Sequence, residues 1–116
     1  GIHYEVVNIC TGDMGTVAAK KYDLEAWIPG ANQYKEIVSC SNCTDYQANR
    51  LSIRYGQPGH PNQPIVHTLN STAVATSRAL VAIMEQYQLE DGRVSIPEAL
   101  QPFMGGQTVL EPCNWG

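Results

Sequence analysis

The stretch Val66 to Gln88, VHTLNSTAVATSRALVAIMEQYQ, constrains this chain most: an extended segment runs through a small polar turn into a helix with one basic residue, Arg78. Thr76, Leu80, Ile83, Met84 and Tyr87 recur at helical spacing and predict one apolar stripe. Arg78 falls on the opposite face, beside Ala75 and Ala82 rather than beside charges, so the helix is expected to be buried on most of its circumference. A guanidinium in that setting needs a partner. An internal carboxylate would make it a structural ion pair, and an anionic ligand would make it a binding residue.

A length of 116 residues with 43% hydrophobic and 16% charged residues fits one small globular domain or a piece of a larger one. The net charge of −4 argues against a generic basic nucleic-acid surface and leaves room for a localised one. No apolar run approaches the roughly 20 residues that span a bilayer. The N-terminal GIHYEVV has no basic region ahead of an apolar core. A soluble cytoplasmic protein with no membrane partner is the expectation.

Cys10, Cys40, Cys43 and Cys113 raise the question of metal or redox chemistry. A structural zinc site wants a second pair spaced like Cys40-Ser-Asn-Cys43, and Cys10 and Cys113 are far apart. Free buried thiols are therefore expected ahead of zinc, disulfide or redox roles.

In chain order, Tyr4–Ile9 reads as a strand and Thr11–Gly15 breaks it. Tyr22–Ile28 alternates, with Tyr22, Leu24, Ala26 and Ile28 on one face and Asp23, Glu25 and Trp27 on the other. Those carboxylates are either solvated or part of a polar concavity above a sheet. Pro29–Asn32 is a turn, and Tyr34–Cys40 is the next strand of an antiparallel hairpin. Ser41–Asp45 supplies capping chemistry for a short helix over Asp45–Ile53. Gly56–Pro64 is a loop that leaves His60 on the surface. Asp91-Gly92 ends the long helix, Val94–Ile96 is extended, and Pro97 opens a one- or two-turn helix at Glu98–Leu100. The layout is α+β, an antiparallel β-sheet with flanking helices, over residues 1–110, with 111–116 as a tail.

Few residues suggest chemistry on their own. Glu36 and Ser39 are three apart on a strand, so a regular pleat sends them to opposite faces unless the strand bulges or ends near Ser39. If it does, a carboxylate and a hydroxyl suit a hard cation such as magnesium. Asn70, Ser71 and Thr72 read as turn and N-cap residues. Phosphate-loop, HExxH, GxSxG and dinucleotide-binding patterns are all missing.

Five segments carry a resemblance: CTGDMG at Cys10–Gly15, KKYDLEAW at Lys20–Trp27, EIVSCSNCTDYQA at Glu36–Ala48, HTLN at His67–Asn70 continuing to Arg78, and EQYQ at Glu85–Gln88. Together, and in this order, they resemble the C-terminal part of the catalytic domain of the seryl-tRNA synthetase family, class II, including its motif 3. The resemblance implies a partial class II catalytic fold and a ligase that uses ATP to convert serine to seryl-adenylate and transfers it to tRNA(Ser). It implies that Glu36 and Ser39 meet the α- and β-phosphates and their Mg2+, that Ile37 and Val38 line the ATP site, and that Arg78 meets the γ-phosphate. Thr72 would contact serine, with Asn70 beside it, and the family's habit implies a homo-oligomer, a dimer. Motif 1, the motif 2 loop and the tRNA-reading arm would precede Gly1, so the chain by itself is expected to be weakly active or inactive. Asn49 stands where the family usually has the first of two arginines, leaving Arg50. A stand-alone relative that binds nucleotide or a protein partner without aminoacylation is the alternative.

Overall fold

A computed structural model of the chain describes residues 1–113. Its centre is a four-stranded sheet in the order β1-β2-β3-β4, every neighbouring pair antiparallel, with β1 at Tyr4–Asn8, β2 at Lys20–Ile28, β3 at Gln33–Thr44 and β4 at Thr68–Thr72. The β2–β3 hairpin turns through a short 3₁₀ segment at Pro29–Ala31, and Asn32 closes it at a φ of 49°, a left-handed conformation that asparagine tolerates. A small second sheet pairs β5 (Val94–Ser95) with β6 (Val109–Leu110).

β3 runs four residues past its expected end at Cys40, because Ser41–Thr44 pair with β2 and β4 instead of capping a helix. The short helix that follows, α1, is confined to Tyr46–Leu51. Asn70, Ser71 and Thr72 are likewise strand residues of β4 rather than a turn, and the turn lies after them. Polar side chains with turn propensity are held extended here by cross-strand pairing, and sequence propensity does not register that pairing.

The long helix α2 spans Thr76–Gln86 and packs on β2 and β3. Of the two faces expected to be buried, the alanine face is the one against the sheet, and in the apolar stripe only Ile83 and Tyr87 are half-buried. Ala82 is fully buried and Ala75 and Ala79 are partly so, whereas Leu80 is 59% and Met84 40% exposed. Small side chains let the helix backbone lie close to the sheet, and the larger ones are turned outward. The core beneath it comprises Ala26, Ile28, Ile37 and Ala82, with Ile2, Leu24 and Val38 packed around them. At its C-terminal end Glu85 accepts the Gly30 N–H at 2.6 Å, and Gln86 donates to the Trp27 carbonyl at 2.7 Å, fastening the helix to the hairpin turn. A Cβ on Gly30 would meet the Glu85 carboxylate at 3.0 Å, so glycine permits this approach.

Pro97 opens a 3₁₀ segment at Glu98–Met104, longer than expected. Of the tail, Glu111 lies 3.9 Å from Arg93, and 114–116 fall outside the described residues. Cys43 is buried as expected, but Cys10 and Cys113 are exposed and Cys40 is half-buried.

Candidate functional site

The site is built on one irregularity in β3. Asp23 pairs with Ser39 and Leu24 with Val38, but Glu25 pairs with Glu36, so Ile37 is an extra residue. Such a bulge changes which side chains share a face. Residues directly opposite in an antiparallel ladder project to the same side. Glu36 therefore joins Ser39 on the face that also carries Asp23, Glu25 and Trp27, which is the condition that a common ligand for Glu36 and Ser39 requires. Ile37 and Val38 turn their side chains to the core instead. What these two expected ATP-lining residues can present to the polar face is backbone, not side chain.

β4 continues this face. Ser39 pairs with Thr72 and Ser41 with Asn70, so the hydroxyl of Thr72 and the amide of Asn70 project beside the two serines. Both are exposed. Beyond Thr72 the strand stops, and the carbonyls of Glu36 and Ile37 lose a ladder partner. The chain entering α2 supplies replacements: the Ala75 N–H donates to the Ile37 carbonyl at 2.6 Å, and Arg78 Nη1 donates to the Glu36 carbonyl at 2.8 Å.

Arg78 is thereby held at the edge of the acidic face. Its Nη1 is 3.8 Å from Glu36 Oε1, with the two side chains 55% and 37% exposed. A pair this exposed contributes at most about 1 kcal/mol. It is neither the buried ion pair nor the mostly buried helix that the sequence suggested. A guanidinium has five N–H donors in a planar fork, and hydrogen bonding to Glu36 uses Nη1, so most of the fork remains for an anion.

Glu25, Ile28, Tyr34, Lys35, Glu36, Arg78 and Val81 line an open cleft of about 510 Å³ at this edge. A somewhat larger cleft, about 590 Å³, lies near α1 and includes Asp45 and Arg50. Arg50 there donates to the Tyr46 hydroxyl at 2.7 Å, and Asp45 accepts from Asn49 at 2.7 Å. The cleft at Arg78 differs in setting its arginine beside the opposed carboxylates of Glu25 and Glu36, with most of the guanidinium fork still open.

The donor set also bears on a metal. Among the described residues, no three His, Cys, Asp or Glu side chains converge as a metal-holding group. Glu36 and Ser39 supply two hard oxygen donors on one face, which fits a cation completed by phosphate and water oxygens, as magnesium prefers. The carboxylates of Glu25 and Glu36 directly oppose each other across the strands, a destabilising like-charge arrangement unless a cation intervenes. Glu25, and Asp23 behind Ser39, share this face; the sequence offered them as solvated or as part of a polar concavity above a sheet and gave neither a role in the site. Their alternation along β2 was the available signal.

Comparison with known proteins shows the family and the fold. The family model described as tRNA synthetase class II core domain (G, H, P, S and T) matches residues 1–87. Serine–tRNA ligase of Archaeoglobus fulgidus is 62% identical over 105 residues, 90% of this chain and 23% of that protein. The serine–tRNA ligase of Methanocorpusculum labreanum is 63% identical over 112 residues, 95% of this chain and 26% of that protein. The crystal structure of seryl-tRNA synthetase from Pyrococcus horikoshii complexed with ATP superimposes with a TM-score of 0.89 at 57% identity, over 96% of this chain and 25% of that one. Cytoplasmic serine–tRNA ligase from Naegleria fowleri in complex with AMP gives a TM-score of 0.83 at 52% identity, over 91% of this chain and 25% of that one. The chain thus spans about a quarter of the length of the relatives it matches.

Proposed function

This chain belongs to the class II tRNA synthetase core domain family, and from that premise we propose that it is the C-terminal part of a serine–tRNA ligase catalytic domain. It would carry the metal-phosphate and serine-facing side of an ATP pocket. The observation that supports this most is the bulge at Ile37, which puts Glu36, Ser39 and Thr72 on one face with Arg78 at its edge.

The chemistry follows from the side chains. ATP brings several negative charges toward a face that already holds Asp23, Glu25 and Glu36, so cationic compensation is required. Arg78 offers a planar fork to the γ-phosphate from the edge of the cleft. Mg2+ held by Glu36 and Ser39 would neutralise charge on the α- and β-phosphates. The serine carboxylate oxygen forms a bond to the α-phosphorus, the bond from that phosphorus to the bridging oxygen of the β-phosphate breaks, and pyrophosphate leaves with the electron pair. Thr72, with Asn70 two positions along β4, would hold the serine so that its carboxylate approaches in line. A hydroxyl of the 3′-terminal ribose of tRNA(Ser) then attacks the seryl carbonyl carbon and AMP departs. The grip on the α-phosphate during attack falls to residues outside this chain, so this chain supplies part of the machinery. A homodimer and a cytoplasmic location belong to the same proposal, and no helix among the described residues is long and apolar enough to cross a membrane.

The direct test is equilibrium binding of ATP with Mg2+ to the full-length protein. Arg78→Ala is expected to weaken binding roughly 10- to 100-fold, the range for loss of hydrogen bonds to a charged group. Unchanged affinity would remove the γ-phosphate assignment.

A further inference from the structure

We infer that Asp23 is a positioning residue of the nucleotide site, acting on the metal through Ser39; the inference rests on the reading of Glu36, Ser39 and Arg78 just proposed. Among the described residues Asp23 is the one buried polar or charged residue, 3% exposed. Its Oδ1 accepts the Ser39 hydroxyl at 2.7 Å, and its Oδ2 lies 3.7 Å from Lys21 Nζ. The ladder fixes this geometry, because Asp23 directly faces Ser39 across β2 and β3, and Ser39 faces Thr72 across β3 and β4.

A carboxylate removed from water is costly unless it is paired and hydrogen-bonded. Lys21 compensates the charge, and the Ser39 hydroxyl satisfies one oxygen. The arrangement has a consequence for Ser39. A serine hydroxyl carries one donor hydrogen and two acceptor lone pairs, and its hydrogen rotates to the best acceptor available. With that hydrogen drawn to Asp23, the lone pairs of Oγ point elsewhere, the orientation in which a hydroxyl can ligate a hard cation. A charge-assisted bond to a ligating group also raises its basicity, as outer-shell carboxylates do for other metal ligands. Without Asp23, the hydroxyl is free to turn its hydrogen toward the cation or toward the nearby strand. Asp23 therefore touches neither substrate nor metal and sets how Ser39 presents itself.

The experiment is ATP binding to the full-length protein by calorimetry across a Mg2+ titration, for wild type, Ser39→Ala, Asp23→Asn and the double variant, with thermal unfolding of each in parallel. Asp23→Asn is expected to raise the half-saturating Mg2+ concentration about tenfold, Ser39→Ala to do the same, and the double variant to be no worse than Ser39→Ala alone. A purely structural Asp23 would lower thermal stability while leaving the Mg2+ dependence at wild type, or would add its effect to that of Ser39→Ala; either result overturns the inference. Should Asp23→Asn fail to fold, Asp23→Glu, which keeps the charge and displaces the oxygens, is expected to shift the Mg2+ dependence in the same direction, and an unshifted curve overturns it. Wild-type ATP binding indifferent to Mg2+ would overturn the reading of the site and this inference together, whereas a shift with Ser39→Ala alone leaves that reading standing and removes Asp23.

Discussion

Arg78 is legible in the sequence as a residue that needs a partner, and its true partners show why sequence alone could not choose. It hydrogen-bonds a carbonyl freed by the end of β4 and lies near an exposed carboxylate, so it is tethered without being neutralised. Glu36 and Ser39 were legible only as a condition, that the strand bulge between them, and the register meets it. No residue type at Ile37 announces a bulge, which arises from pairing with β2. Elsewhere, the Arg93 backbone N–H donates to Asp91 Oδ1 at 3.1 Å and Arg93 Nε donates to Oδ2 at 2.8 Å. These contacts, the backbone one foremost, hold the Asp91 carboxyl below its ordinary value of 3.8. Because the folded value is depressed, the turn's contribution to stability is present above the ordinary value and is lost as pH falls through the folded one. An NMR titration of Asp91 should give a midpoint below 3.8, and one at or above it would show that Arg93 does not hold the carboxylate in solution.

At the scale of elements, most of the strands and both helices were readable from alternation, turn residues and periodicity, and the errors share one cause. Both the stripe of large apolar residues and the face with Ala75 and Ala82 were expected to be buried in α2; Ala75, Ala79 and Ala82 face the sheet, while Leu80, Val81 and Met84 lie outside. Helix–sheet separation is set by the smallest residues at the contact, and a periodicity count weighted to large side chains ranks them second. β3 and β4 were misread at Ser41–Thr44 and Asn70–Thr72 because cross-strand pairing overrides turn propensity. If the alanine face sets the spacing, Ala82→Leu should destabilise the full-length protein by about 1–3 kcal/mol through overpacking. Leu80→Gln should stay within about 0.5 kcal/mol. Urea unfolding distinguishes the two, and a larger loss at Leu80 than at Ala82 would restore the periodic stripe as the packed face.

At the scale of the molecule, the described chain is drawn out, 69 × 35 × 26 Å, with a radius of gyration of 20.5 Å. A compact domain of this length would have about 13–14 Å. Its core is small, and Leu51, Leu69 and Phe103 are 70%, 76% and 85% exposed. A surface of this kind is what remains when a larger fold is represented by about a quarter of its length, in keeping with the coverage of the relatives. The same holds for chemistry. The polar face of the sheet carries Glu36, Ser39, Thr72 and Asn70, and Arg78 borders it; on the proposed reading, the residues that close over a nucleotide from the other side lie outside the described residues. The measurement that tests this most directly is serine-dependent exchange of pyrophosphate into ATP, made with this chain alone, with the preceding part of the longer protein alone, and with the two combined. Exchange that appears only in the combination, and that Arg78→Ala abolishes, is the predicted result. Exchange by the preceding part without this chain, or none from the combination despite retained ATP binding, would contradict the assignment.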